Sequence, residues 1–196
     1  MQQNGGGFSL KMRAKNRFSL FLWIFIMLFL AVVLVFPRWI TIFYPLPHRD
    51  LIFSTAAEYQ IDPYLVFAII RAESKYETRA ESPVGAKGLM QIMPDTAKWI
   101  SKQMGTKDFN PEDLHDPAVN IRLGCWYVKN LQDEFDKNTP LSVAAYNAGR
   151  GKVQEWVQAG TWDGNPHKME GIPYPETRQY VRNVLKNYEA YQVIYQ

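Results

Sequence analysis

A carboxylic acid at the end of an apolar run is the first feature of this chain with a chemical use. Glu73 follows Leu65, Val66, Phe67, Ala68, Ile69 and Ile70, and helical spacing puts it on the face of Ile69 and Ile70. A carboxyl aimed that way meets an interior or a cleft lip, where burial penalises its charged form and keeps it protonated near neutral pH. It can then act as a general acid. The bland alternative is an exposed Glu paired with Arg71 or Lys75 at a fraying helix end.

Three further stretches could line a site around that acid. In Ser82–Met93, SPVGAKGLMQIM, Pro83, Gly85 and Gly88 shape a turn that can bring backbone groups close to a ligand. Gln91 then places an amide between Met90 and Ile92, either for a ligand or for a backbone group. In AAYNAGRGKV, Tyr146 and Asn147 precede a helix-ending Gly149, which suits sugar recognition or equally a C-cap. In PYPETRQYVRNV, Glu176 lies in the first turn of a helix, where interaction with the dipole is reason enough for an acid. Other chemistries are poorly served. His48, His115 and His167 are scattered without metal-ligand spacing, so no metal is expected. Phosphate-binding glycine patterns and the Gly-x-Ser-x-Gly elbow are absent. The single Cys125 excludes an internal disulfide and reads as a small buried hydrophobe.

The elements that must hold these residues are helices. Asp62-Pro63, Asn110-Pro111, Asp116-Pro117 and Thr139-Pro140 each put a capping residue before a proline at the first helical position. Met93-Pro94 and Tyr174-Pro175 do so with weaker caps, and Gly105, Gly149 and Gly160 close helices. Helices are therefore expected near 50–60, 63–74, 94–104, 117–135, 140–148, 151–159 and 175–194. No stretch past residue 50 alternates like a strand. Core faces are expected from Val119, Leu123, Trp126, Tyr127 and Leu131, and from Tyr180, Val181, Val184, Tyr188 and Tyr191.

The chain's first quarter reads differently. Residues 1–17 are a basic tail, and residues 18–36 run for 19 positions without a charge or a proline. As a helix at ~1.5 Å per residue they would span ~28 Å, the depth of a bilayer's hydrocarbon core. Lys11, Arg13, Lys15 and Arg17 precede the span and only Arg38 directly follows it. The positive-inside rule then keeps the N-terminus cytoplasmic and sends the rest outward. No small-x-small site follows, so an uncleaved single-pass anchor is expected rather than a signal peptide. Residues 37–49, with Pro37, Pro45 and Pro47, read as an extended spacer before a domain at 50–196. The net charge of +3 comes from the tail, because residues 38–196 hold the other 18 Lys/Arg and all 19 Asp/Glu, a balance of −1. A nucleic-acid partner is not implied, whereas the tail suits anionic lipid headgroups.

Taken together, ESKY, SPVGAKGLMQIMPDTA, AAYNAGRGKV and IPYPETRQYVRNVL, in that order, resemble the soluble lytic transglycosylase family over about residues 50–190. The resemblance implies a mainly α, lysozyme-like single catalytic domain behind the N-terminal transmembrane helix. It implies an enzyme cleaving the β-1,4 bond between N-acetylmuramic acid and N-acetylglucosamine in peptidoglycan glycan strands, leaving 1,6-anhydromuramic acid ends. It also implies Glu73 as the single catalytic acid/base, and Ser82, Gln91, Met93, Tyr146, Asn147 and Glu176 as substrate-binding residues, with no metal or cofactor. Hydrolysis of the same bond, or a non-catalytic glycan-binding module, remain open from the sequence. No protein partner is indicated.

Overall fold

The computed structural model describes residues 19–33, 41–106 and 109–196. They divide into two units, residues 1–45 and 46–196. In the first, residues 19–33 form helix α1, on which Leu20, Phe21, Trp23, Phe25 and Met27 are all more than half exposed. No helix among the described residues is long and apolar enough to cross a membrane. The tail at 1–17, and residues 18 and 34–36 of the apolar stretch, lie outside the described residues. The extended-spacer reading of 37–49 needs correction where it can be followed. Residues 41–43 are helical and Arg49 already belongs to the next helix.

The second unit is built from α2 (Arg49–Glu58), α3 (Pro63–Glu73), α4 (Pro94–Gln103), α5 (Pro117–Glu134), α6 (Thr139–Ala148), α7 (Arg150–Gln158) and α8 (Pro175–Tyr195). Two 3-10 turns, Pro111–His115 and Met169–Gly171, complete it. Among the described residues there is no strand, only isolated bridges joining Lys87 to Glu81 and to Ile92. Each expected helix is present to within about a turn. The caps work as the residue types demand. Asp62 Oδ1 accepts from Tyr64 N at 2.8 Å, and Asp116 Oδ1 accepts from Ala118 N and Val119 N. Met93 and Tyr174 make no side-chain cap.

Two starts differ from expectation. Asn110-Pro111 opens only a 3-10 turn, because the next cap and proline, Asp116-Pro117, interrupt it after five residues. The cap of α6 is Asn138 rather than Thr139; its Oδ1 reaches the third helical amide, Leu141 N, at 3.0 Å.

Helix α3 is the centre of this unit. Its residues Tyr64 to Ile70 are all buried, so it has no polar face to give to water. It packs chiefly against α8 and also against α2, while α6 packs against α5, α7 and α8. Complete burial of one Leu, Ile or Phe contributes about 1.5–3 kcal/mol, and α3 contributes several. The expected core faces of α5 and α8 are only partly right. Leu123, Leu131, Val181, Val184 and Tyr191 are buried, but Val119, Trp126, Tyr127, Tyr180 and Tyr188 are half-buried. The α5 core is turned toward Asn120, Ile121 and Cys125.

Between α3 and α4 the chain makes a tight loop over residues 80–92. Gly85 and Gly88 both hold positive φ, +87° and +77°. Alanine at either costs about 1–2 kcal/mol for that conformation. Only Gly88 also faces a wall, since a Cβ there would lie 2.1 Å from Leu114 O and 2.4 Å from Asn120 Nδ2, whereas Gly85 faces open space. Gly88→Ala should therefore cost about 1–3 kcal/mol more than Gly85→Ala in urea unfolding. Equal losses would show that the close approach at Gly88 is not real.

Candidate active site

Glu73 is the last residue of α3, so burial of the helix carries its carboxyl to the edge of the core. Desolvation pushes its pKa up from 4.5 to about 7, opposed in part by a hydrogen bond from Tyr180. The Tyr180 hydroxyl donates to Glu73 Oε1 at 2.6 Å. Burial, together with the nearby Glu73 carboxyl, also holds the Tyr180 phenol well above its ordinary pKa, so it remains a donor. With Oε1 accepting, the acid proton of the neutral form belongs on Oε2. Tyr146 feels the same carboxyl, and it too is driven well above the ordinary phenol range, mainly by burial.

The loop after α3 is clamped from three helices. Ser74, the cap of α3, donates from Oγ to Leu89 O at 2.8 Å, with Ile70 O at 3.2 Å as the alternative acceptor for the same proton. Asn120 of α5, fully buried, accepts from Met90 N at 2.8 Å and donates to Leu114 O at 2.8 Å and Lys87 O at 3.0 Å. The Tyr146 hydroxyl of α6 donates to Met90 O at 2.7 Å. Gly124 of α5 leaves room for Met90, whose sulfur would lie 2.2 Å from an added Cβ.

These clamps hold Gln91 at φ +46°, a left-handed conformation uncommon outside glycine and asparagine. Its amide donates to Ala80 O at 3.1 Å and Gly88 O at 2.9 Å, which leaves the carbonyl oxygen as its remaining polar atom. The resulting cleft, about 280 Å3, is lined by Gln91, Ile92, Met93, Thr96, Tyr127, Tyr146, Asn147, Ala148 and Gly149. No carboxylate is among these residues. Asn147 accepts from Thr177 Oγ1 at 2.7 Å, so its amide hydrogens remain for a ligand.

Of the residues singled out from sequence, Gln91, Met93, Tyr146 and Asn147 line one cleft, and Glu73 adjoins it through Tyr146. Ser82 does not line it; its Oγ accepts from Ala86 N at 2.9 Å and stabilises the turn. Glu176 is exposed in the first turn of α8 and does not line the cleft, although its neighbour Thr177 donates to the lining residue Asn147. Sequence reasoning missed Tyr180, Tyr127, Ser74 and Asn120. Tyr180 and Tyr127 were hidden because a tyrosine on a helical apolar stripe reads as core. Only Ser74, beside the acid in ESKY, carried a local signal. Among the described residues no group of three His, Cys, Asp or Glu could hold a metal ion.

Comparison with known proteins agrees with this geometry. A family model described as "Transglycosylase SLT domain" matches residues 50–167, and one described as "Soluble lytic transglycosylase helical domain" matches residues 171–196. The chain belongs to the transglycosylase SLT-domain family. It is 41% identical over 151 residues to the soluble lytic murein transglycosylase of Escherichia coli K12, covering 76% of this chain and 23% of that protein. It is 35% identical over 116 residues to a membrane-bound lytic murein transglycosylase C of Haemophilus ducreyi, covering 54% and 31%. Among solved structures, the 70 kDa soluble lytic transglycosylase of E. coli superposes with a TM-score of 0.74 at 36% identity, over 79% of this chain and 25% of that one. An inactive mutant of the Pseudomonas aeruginosa lytic transglycosylase Slt superposes with a TM-score of 0.70 at 38% identity, over 79% and 25%. The fold is thus the mainly helical, lysozyme-like SLT fold. The chain spans about a quarter to a third of the length of these relatives.

The raised pKa of Glu73 makes stability depend on pH with a definite sign. The folded state holds a proton that the unfolded chain releases above about 4.5, so stability falls as pH rises through about 7. Glu73→Gln removes the charge and should stabilise the protein by on the order of 2 kcal/mol above neutrality, with little change in acid. Thermal unfolding against pH measures this, and an equal effect at all pH would contradict a buried, protonated Glu73.

Proposed function

We propose that this chain is a peptidoglycan lytic transglycosylase in which Glu73 is the single acid and base. The observation that carries the reading is the pKa of Glu73, pushed up to about 7 at the edge of a cleft whose lining has no carboxylate. Ordinary glycosidases need two carboxylates, one as acid and one as nucleophile or base. In the proposed reaction, Glu73 Oε2–H protonates the glycosidic oxygen between N-acetylmuramic acid and N-acetylglucosamine, and the C1–O bond breaks. The substrate's own N-acetyl group assists the departure. The Glu73 carboxylate then takes the proton of the muramyl C6 hydroxyl as its oxygen bonds to C1, closing a 1,6-anhydro ring. Glu73 ends protonated again, and no water is consumed.

Because the nucleophile belongs to the same sugar, proximity does the work of a second carboxylate. Tyr180 holds one carboxylate oxygen in place and supports its negative charge between the two steps. Gln91, Met93, Tyr146 and Asn147 are proposed to contact the sugars, and Ser82 and Glu176 to bound the site further out. The inactive relative carries a glutamate-to-glutamine change, which fits dependence on one Glu.

The apolar stretch at 18–36 is proposed to anchor the chain in the cell membrane. Its N-terminus would be cytoplasmic and its SLT domain on the wall side, where it would act in cell-wall remodelling. Support comes from the uncharged sequence, the exposed apolar side chains of α1, and relatives named as membrane-bound.

The full chain incubated with purified peptidoglycan should release muropeptides ending in 1,6-anhydromuramic acid, detected by mass spectrometry. Hydrated reducing ends would instead identify a hydrolase, and no products a binding module. Glu73→Gln should abolish turnover, and the wild-type rate should decline as pH rises above about 7, where the acid loses its proton. For the anchor, arginine at both Leu22 and Leu28 should move the chain from the membrane to the soluble fraction, at about 2.5–3.5 kcal/mol for each charge near the bilayer centre. An unaltered chain that is already soluble would dismiss the anchor.

A further inference from the structure

The chain leaves Glu73 through a turn that its residue types resist. Ser74 caps α3, and the next two residues, Lys75 and Tyr76, hold φ of +51° and +71°. Neither is glycine or asparagine, and a Cβ makes each of these left-handed positions unfavourable. Strain of this kind persists only where the surrounding contacts over-determine it, and it gathers at functional sites. Here it follows the acid by two and three residues.

The contacts that hold the turn converge on Tyr76. Its hydroxyl reaches back along α3 to donate to Phe67 O at 3.1 Å, and it lies 2.5 Å from the Tyr191 hydroxyl of α8. With the Tyr76 proton on Phe67 O, Tyr191 is the donor of the second bond. The Tyr76 amide donates to Ser74 Oγ at 3.1 Å, and that Oγ donates onward to Leu89 O in the cleft loop. Tyr191 is fully buried, with its ring centroid 5.6 Å from Phe67 and 6.2 Å from Tyr195, so the clamp rests on a fixed ring. One line of bonds thus runs from α8 through Tyr76 and Ser74 to the loop, past the acid. Tyr191 and Tyr180 are about three turns apart on α8 and project from one face. That face holds Glu73 at Oε1 through Tyr180 and the turn behind it through Tyr191. The clamp itself does not titrate with the acid. Burial, reinforced by Tyr191, drives the Tyr76 phenol far above its ordinary range against the opposing charge of Arg71, and burial raises Tyr191 as well.

We propose that Tyr76 is a positioning residue for Glu73: clamped between Phe67 and Tyr191, it fixes the left-handed turn that ends α3 at the acid, and so keeps the carboxyl beside Tyr180 and away from water. This rests on the reading of Glu73 as the acid and adds what holds that acid in place. Without the clamp, Lys75 and Tyr76 relax toward ordinary backbone angles and the last turn of α3 frays. Glu73 then gains water, ionises at lower pH and is held less well in the reactive geometry.

The test is turnover of solubilised glycan strands by the full chain, with kcat and KM measured across pH. Tyr76→Phe keeps the ring and removes the clamp. It should lower kcat about tenfold with KM nearly unchanged, and move the alkaline decline of kcat from about 7 down by about one pH unit. Tyr191→Phe should act in the same direction but less, because the bond to Phe67 remains, and it decides the matter alone if Tyr76→Phe does not fold. The two changes together should cost no more than Tyr76→Phe by itself, since both act through one clamp. Ile52→Val trims a fully buried side chain of α2 outside the clamp, and it should lower stability while leaving the decline where it is. A fall in melting temperature of Tyr76→Phe with kcat and the decline unmoved overturns the proposal, leaving Tyr76 a purely structural residue. A rise in KM alone overturns it as well, in favour of a role in binding. A wild-type chain that shows no turnover, or no alkaline decline around 7, overturns the acid reading itself and the clamp's role with it.

Discussion

Desolvation of one carboxyl is the constraint on which the site depends. Glu73 can hold a proton near neutrality only because α3 is buried from Tyr64 to Ile70 and hands its last residue to the edge of the core. Water at that position would return the pKa to its ordinary range. The helix packed most extensively on α3, α8, also supplies a direct hydrogen-bond partner of the acid, Tyr180. The packing of α3 on α8 therefore sets both the acidity of the group and its orientation. A hydrogen bond to the carboxylate lowers the pKa, and burial raises it by more, which leaves an acid that can both give and retake a proton.

The loop at 80–92 follows from a second constraint, that an irregular segment against a core must satisfy its backbone polar groups. Buried Asn120 pairs with one N–H and two carbonyls, and Ser74 and Tyr146 take carbonyls of Leu89 and Met90. Gln91 closes the loop on itself by donating to Ala80 and Gly88. A side chain in a strained left-handed conformation persists only when its surroundings over-determine it. These bonds do so, and they turn a flexible glycine-containing segment into a rigid cleft wall.

Much of this was legible in the sequence. A helix start is a local event, a capping oxygen within two or three residues of the amide it serves, so Asp62 and Asp116 could be read directly. Where two caps competed, as at Asn138 and Thr139, the choice depended on which side chain could reach Leu141 N, and local reading took the wrong one. Gln91, Met93, Tyr146 and Asn147 were recognisable as a group through the resemblance of their blocks to a family, and the structure places all four on one cleft. Ser82 and Glu176 came with the same resemblance, yet one holds a turn and the other stands exposed at a helix start.

The sequence by itself determined the helices, most of their caps, and the apolar approach to Glu73, because each is governed by neighbours a few residues apart. It also determined the uncharged stretch at 18–36. Only the tertiary structure decided which face of α5 and α8 is core. Periodicity marks a stripe as apolar but does not say whether another helix or a cleft lies against it, so Tyr127 and Tyr180 were assigned to the interior. The pairing of Glu73 with Tyr180, 107 residues along the chain, and the bond of Tyr146 to Met90 arise from elements meeting in space. No local rule encodes such contacts, because the energy that brings them together belongs to the packing of the whole core.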